Sequence, residues 1–179
     1  MVLNPKLINK NQIPEIIRES PELFHSKETI TNVNFYGAGC GDQKSKDVIT
    51  DILNDVFPNA LIKVEEDLAA AVHGTTEEPG VICIVGTGSN SCYYDGIQIE
   101  RRITSLGFLI MDDGSGNYFG KKLLRAFFFE KMPLILKDKF STAYNLNENF
   151  VLEHLYEKEN VSSYLAQYAE FLIENRSDP

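Results

Sequence analysis

Several common chemistries are closed to this chain by what it lacks. It has 17 lysines and arginines against 26 aspartates and glutamates, a formal net charge of −9 at pH 7, with a pI near 4.8. Nucleic acids and anionic membranes are bound by clustered lysine and arginine, so neither is an expected partner. No apolar run approaches the roughly 20 residues of a membrane span, and the first residues do not form a charged-then-apolar leader, which makes the cytoplasm the expected location. Cysteine is scarce: Cys40, Cys83 and Cys92 form no CxxC pair and have no histidine at ligand spacing, which excludes a zinc site or a disulfide framework. Cys83 is expected to pack as a small apolar residue inside a strand. His25, His73 and His154 are scattered, with no HExxH or GxSxG pattern nearby, and no chemistry is assigned to them.

What is present is the composition of a soluble globular protein, 43% hydrophobic and 24% charged over 179 residues. A compact chain of that length buries roughly 70% of its unfolded surface, so one domain or two small ones need no covalent staples. The chain is organised around Gly80 to Arg102. Val81 to Val85 is a continuous apolar block of the kind found in strands covered on both faces, which predicts a mid-sheet strand. Gly86, Thr87, Gly88, Ser89 and Asn90 then supply backbone freedom, two hydroxyls and an amide. No lysine lies between Ile82 and Arg101, which removes the P-loop reading. Ser91 to Tyr94 and Ile97 to Ile103 read as strands joined by an Asp95-Gly96 turn, so no helix opens at the glycines and the dinucleotide fingerprint fails as well. Two readings remain: a strand-turn-strand whose N–H groups, with Thr87 and Ser89, nest phosphate oxygens, or a glycine-rich hairpin with no ligand.

Elsewhere the periodicity predicts a helix over 12–19 stopped at Ser20-Pro21, a strand through Val33, Phe35 and Tyr36 into a glycine-rich turn, and a helix over 47–57. Leu61 to Glu65 reads as a strand, and Asp67 opens a short helix directly off it. Asp67 is either a helix cap or a carboxylate base at a strand's carboxyl end, where ligands gather in open α/β sheets. Asp112 and Asp113 precede Gly114-Ser115-Gly116 and a helix over 118–131. Their spacing does not fit a calcium loop; they either complement the helix dipole or bind sugar hydroxyls or metal-bound water beside a bare helix N-terminus. Helices over 147–158 and 162–174 carry aromatics read as core.

Four segments, Phe35-Tyr-Gly-Ala-Gly-Cys, Glu66-Asp67-Leu-Ala-Ala-Ala, Ile84-Val-Gly-Thr-Gly-Ser-Asn and Leu106-Gly-Phe with Asp112-Asp-Gly-Ser-Gly, resemble in order and spacing the N-acetylglucosamine kinase and BadF/BadG/BcrA/BcrD-type ATPase family. That family belongs to the actin-like, sugar kinase and heat-shock chaperone superfamily. The resemblance implies an α/β fold of two ribonuclease-H-like lobes, each a mixed sheet with flanking helices. It implies ATP with Mg2+ as cofactors, an amino sugar such as N-acetylglucosamine as substrate, and a homodimer. Asp67 matches the family's base for the sugar hydroxyl, and Thr87 with the 86–90 loop matches its second phosphate loop. Gly107, Asp112 and Asn4 match sugar-contacting positions; Asp113 stands where the family usually has glutamate.

The family's first phosphate loop, which holds Mg2+, and its adenosine-gripping glycine turn have no counterpart here. The expectation is therefore an incomplete N-terminal lobe over 1–104, an interdomain helix with the helical part of a C-terminal lobe over 105–179, and an inactive segment of a longer kinase. An ATPase that activates a partner enzyme and a non-catalytic sugar-binding module are the alternatives.

Overall fold

A computed structural model describes residues 12–177. The architecture is mixed α/β with two small sheets, and the chain divides into two compact units, Met1–Ile82 with Tyr94–Ile99 and Cys83–Tyr93 with Glu100–Pro179. Among the described residues no helix is long and apolar enough to cross a membrane.

In the first unit, α1 (Gln12–Arg18) and α2 (Pro21–Ser26) precede β1 (Asn32–Gly37), α3 (Gln43–Val56), β2 (Leu61–Glu66) and α4 (Asp67–Thr75). Pro21 does more than stop α1: it occupies the first turn of α2, where its missing N–H is no loss. β1 and β2 run parallel, Asn32 opposite Leu61 through Gly37 opposite Glu66, with α3 as the crossover between them. α3 begins four residues before its apolar stripe suggested. Asp42 caps it, its carboxylate accepting from the Ser45 N–H at 2.9 Å and the Ser45 hydroxyl at 3.0 Å. Ile49 and Leu53 from α3 pack with Val64, Ile13, Ile17, Cys40 and Phe57 as this unit's core.

The second sheet is β3 (Gly80–Val85), β4 (Ser89–Tyr94) and β5 (Ile99–Glu100), in the order β3-β4-β5. Among the described residues the expected mid-sheet strand is an edge strand. Val81 is 72% and Val85 67% exposed while Ile82 is 7% exposed, and Cys83, expected inside, is exposed. The reason is the strand's period of two: with one partner strand and one covered face, positions 81, 83 and 85 all point outward, and a run of apolar residues does not announce that. Asp95 builds the second hairpin turn, its Oδ1 accepting from the N–H groups of Ile97 (2.7 Å) and Gln98 (2.6 Å), with Gly96 at φ +97°. The strand predicted over 97–103 is limited to Ile99–Glu100.

The rest of the second unit is helical: α5 (Gly116–Phe128), α6 (Leu134–Ala143), α7 (Glu148–Tyr156), α8 (Val161–Ala166), a 3-10 turn (Gln167–Ala169) and α9 (Glu170–Glu174). The helix expected over 162–174 is thus two short helices around a tighter turn, and α6 carries no strong stripe of its own. Leu123, Leu124, Met132, Phe140, Val151, Leu165, Tyr168 and Phe171 form the core. α5 and α8 approach closely because Gly120 faces the backbone of Leu165: a Cβ there would lie 1.8 Å from the Leu165 carbonyl oxygen.

Candidate functional site

Gly86, Thr87 and Gly88 turn the chain from β3 into β4. The Gly86 N–H closes the turn by donating to the Gly88 carbonyl at 2.9 Å. The carbonyls of Gly86 and Thr87 accept from the first N–H groups of α5, Gly116 (2.8 Å) and Asn117 (3.0 Å). The next N–H, of Tyr118, reaches the capping hydroxyl of Ser115 at 3.4 Å. The helix N-terminus expected to lie bare is therefore consumed by the loop, because the four orphan N–H groups of a helix take whatever acceptors are nearest. With its carbonyls tied back, the loop keeps the N–H groups of Thr87 and Gly88, and among the described residues neither donates to a carbonyl or side chain.

Asn117 is the residue that pattern reading missed. It is fully buried, and its Nδ2 lies 2.6 Å from the Thr87 carbonyl, 3.1 Å from Asp112 Oδ2 and 3.3 Å from Ser162 Oγ. Two protons shared among three acceptors lock the loop, the carboxylate and α8 together, while Asn117 Oδ1 has no partner among the described residues. The available signal was an amide on the same helix stripe as Gly120 and Leu124.

Asp112 is buried at φ +69°, a left-handed backbone that aspartate tolerates better than most residues. Its carboxylate rests on the loop, since a Cβ on Gly88 would lie 2.6 Å from Asp112 Oδ2. Ser89 donates its hydroxyl proton to the Asp113 carbonyl at 3.0 Å, so that proton is committed to the fold. The Asn90 side-chain oxygen accepts from the Ser91 N–H at 2.9 Å. A hollow of about 250 Å3 opens beside these groups, lined by Ser89, Asn90, Ser105, Met111, Asp112 and Cys83 among others. Gly107, at φ +77°, lies in the turn that leads into Asp112 and is not part of that lining; its carbonyl accepts from the Met111 N–H at 2.9 Å.

Asp67 belongs to the first unit. It follows the last residue of β2, so it stands at the carboxyl ends of two parallel strands, beyond the paired Gly37 and Glu66. Its Oδ1 accepts from the N–H of Leu68 at 3.0 Å, one residue on, and the residue at the cap position itself is Glu66. Burial pushes the thiol of Cys40 up, and the negative charge of Asp67 adds to that rise. Cys40 is fully buried at the turn after β1. Asn4 lies outside the described residues, and among the described residues no group of three or more His, Cys, Asp or Glu is disposed to hold a metal ion.

No protein-family model and no curated protein matches the chain. Among solved structures it matches the crystal structure of a protein from Porphyromonas gingivalis described there as a "Putative N-acetylglucosamine Kinase", with a TM-score of 0.85 and 30% identity. The match covers 99% of this chain and 64% of that one, so the chain spans a little under two thirds of that protein's length.

Proposed function

We propose that the chain belongs to an ATP-dependent kinase acting on an amino sugar such as N-acetylglucosamine, built on ribonuclease-H-like lobes. The observation that carries this reading is the 86–90 loop: its carbonyls are held by α5, its Thr87 and Gly88 N–H groups are uncommitted, and a buried carboxylate, Asp112, lies against it. The 30% identity to a protein described as such a kinase supports it.

Phosphoryl transfer asks a protein mainly for positioning and for neutralising charge on the phosphate oxygens. Thr87 and Gly88 offer two adjacent N–H donors for those oxygens, on a loop that does not have to reorganise to present them. ATP fits this cradle; its role is to donate the phosphoryl group. Among the described residues no group of three or more His, Cys, Asp or Glu is disposed to hold Mg2+, and no step is assigned to it. In the hollow, Asp112, Asn90 and Ser105 present a carboxylate, an amide and a hydroxyl, the groups that bind sugar hydroxyls. Asp67 is the base for the attacked hydroxyl, a role worth about 10² to 10⁴ in rate. Asn4 and Gly107 are proposed as sugar contacts on the family resemblance alone, since Gly107 does not line the hollow. By the same resemblance the protein works in the cytoplasm as a homodimer.

The test is two-part. Calorimetric titration of N-acetylglucosamine and of ATP should detect both ligands. In a coupled ADP-release assay of the longer parent kinase, Asp67→Asn should abolish sugar-dependent turnover while sugar binding persists. Turnover that survives Asp67→Asn removes the base assignment, and absence of binding of either ligand removes the kinase reading.

A further inference from the structure

The two N–H groups that the loop presents are aimed by different donors. In a trans peptide the C=O and the following N–H lie in one plane and point in opposite directions, and no peptide among the described residues is cis. The Gly86 carbonyl, held by the backbone N–H of Gly116 at 2.8 Å, therefore aims the Thr87 N–H. The Thr87 carbonyl aims the Gly88 N–H, and it accepts twice from Asn117, from the backbone N–H at 3.0 Å and from Nδ2 at 2.6 Å. A carbonyl oxygen has two lone pairs, so Asn117 occupies both. The same Nδ2 reaches Asp112 Oδ2 at 3.1 Å, and Asp112 lines the hollow proposed for the sugar. Two side-chain hydrogen bonds thus run from the hollow, through a fully buried amide, to one N–H of the loop and not to its neighbour. Asn117 Oδ1 has no partner among the described residues, so nothing there anchors the amide from its other end and its tilt follows its acceptors.

From these bonds we infer that Asn117 is a positioning residue that couples the two ligands: sugar bound at Asp112 orders the Gly88 N–H for a phosphate oxygen, and phosphate bound there orders Asp112 for the sugar. The inference rests on the proposed function and deepens it. A sugar hydroxyl donating to Asp112 restrains the carboxylate, which restrains Nδ2 and with it the peptide between Thr87 and Gly88. Phosphate arriving second meets an N–H that is already ordered, so its own binding loses less conformational entropy. Linkage makes the effect reciprocal, each ligand tightening the other by the same factor. The backbone bond from Asn117 to the Thr87 carbonyl persists whatever the hollow holds, so only one of the two bonds responds. The factor therefore belongs near the lower end of the usual range for coupled sites, about fivefold. Ser162 Oγ, the third acceptor, is the most distant at 3.3 Å, and the relay from Asp112 to Thr87 does not pass through it.

The first arm of the experiment needs no ligand. Asp112→Gly removes the carboxylate and keeps the φ of +69° accessible. In the 15N-labelled chain it should lower the backbone order parameter of Gly88 and leave that of Thr87 as it was; in an Asn117→Ala background it should lower neither further. The second arm titrates tripolyphosphate with and without saturating N-acetylglucosamine. The sugar should tighten tripolyphosphate about fivefold in the parent chain and have no such effect in Asn117→Ala, whereas a merely structural loss would weaken both ligands and keep the ratio. Ser162→Ala spares both bonds of the relay and should keep the coupling. Asp112→Gly and Ser162→Ala leave Asn117 in place, so both remain decisive if Asn117→Ala fails to fold. The inference is overturned if Thr87 and Gly88 respond alike to Asp112→Gly, if Asn117→Ala keeps the coupling, or if Ser162→Ala abolishes it. A response confined to Gly88 when neither ligand binds leaves the relay standing and removes the kinase reading.

Discussion

Gly120→Ala is the most direct test of how the second unit is built. In an ordinary helix interior the change adds stability, because alanine is favoured over glycine by about 1 kcal/mol. Here the new methyl carbon would stand 1.8 Å from the Leu165 carbonyl oxygen and 2.7 Å from its carbonyl carbon. Both are backbone atoms, so no rotamer change relieves them. Carbon and oxygen in weak contact lie roughly 3.3 Å apart, so α5 and α8 must separate by about 1.5 Å. A gap of 0.5–1 Å already forfeits about a quarter to a half of each dispersion contact, and the contacts at stake join Leu123 and Leu124 to Leu165 and Tyr168. Overpacking of this kind costs about 3 kcal/mol at the upper end of its usual range, leaving a net loss of about 2 kcal/mol. For a chain of this length that lowers Tm by roughly 4–8 °C. Gly74→Ala is the internal control. Gly74 lies in α4 with nothing within 4 Å of its added Cβ, so it should gain up to about 1 kcal/mol. Because the two glycines belong to different compact units, amide hydrogen exchange should be read helix by helix alongside Tm. Protection in α5 should fall in the first variant and protection in α4 should rise in the second. If Gly120→Ala leaves α5 as protected as before, the close approach of the two helices is wrong.

Other expectations are smaller or more local. A hydrogen bond from the Lys46 ammonium, at 2.7 Å, holds the Glu65 carboxyl below the usual carboxylate range. A depressed folded pKa means that its stabilising contribution is present above the unfolded value near 4.3 and is lost as pH falls through the lower folded value. Urea titrations between pH 6 and 3 should therefore show a shallower acid decline for Glu65→Gln, by less than about 1 kcal/mol given the pair's partial exposure; an unchanged decline refutes the pairing. Gly88→Ala places a methyl 2.6 Å from Asp112 Oδ2 and must displace that carboxylate. Losing one charge-assisted hydrogen bond of about 1.5 kcal/mol should weaken N-acetylglucosamine about tenfold in calorimetry, and unchanged affinity would remove Asp112 from the sugar site.

Patterns of two and 3.6 were readable where the residues bearing them face one core. The stripe of Ile49 and Leu53 located α3, and the turn chemistry of Asp95-Gly96 located the second hairpin. The start of α3 was not readable from the stripe, because Asp42 contributes a hydrogen bond and no hydrophobicity. β3 misled for the opposite reason. Val81, Cys83 and Val85 are apolar without being covered, so composition suggested two buried faces where only the Ile82 face is covered among the described residues. The division of 162–174 into α8, a 3-10 turn and α9 follows from packing against α5, including the close approach at Gly120, and no local residue marks it.

The candidate site was legible as a set of residue types and illegible as a direction. Gly86-Thr-Gly-Ser-Asn announces a loop with backbone to offer, yet glycine permits either face of each peptide to be presented. What decides is the partner. α5 has N–H groups to satisfy, and it takes the carbonyls of Gly86 and Thr87 as acceptors. Asn117 adds a side-chain donor to the same Thr87 carbonyl. Each of these bonds withdraws an acceptor that would repel a phosphate and leaves the neighbouring N–H groups as the loop's free polar atoms. An aspartate in place of Asn117 would set a carboxylate oxygen against the Thr87 carbonyl and Asp112 together, replacing a donor with like charge. The anion-binding character proposed for the loop would in this sense be a property of the helix behind it, and the glycines alone do not distinguish a phosphate cradle from an empty hairpin.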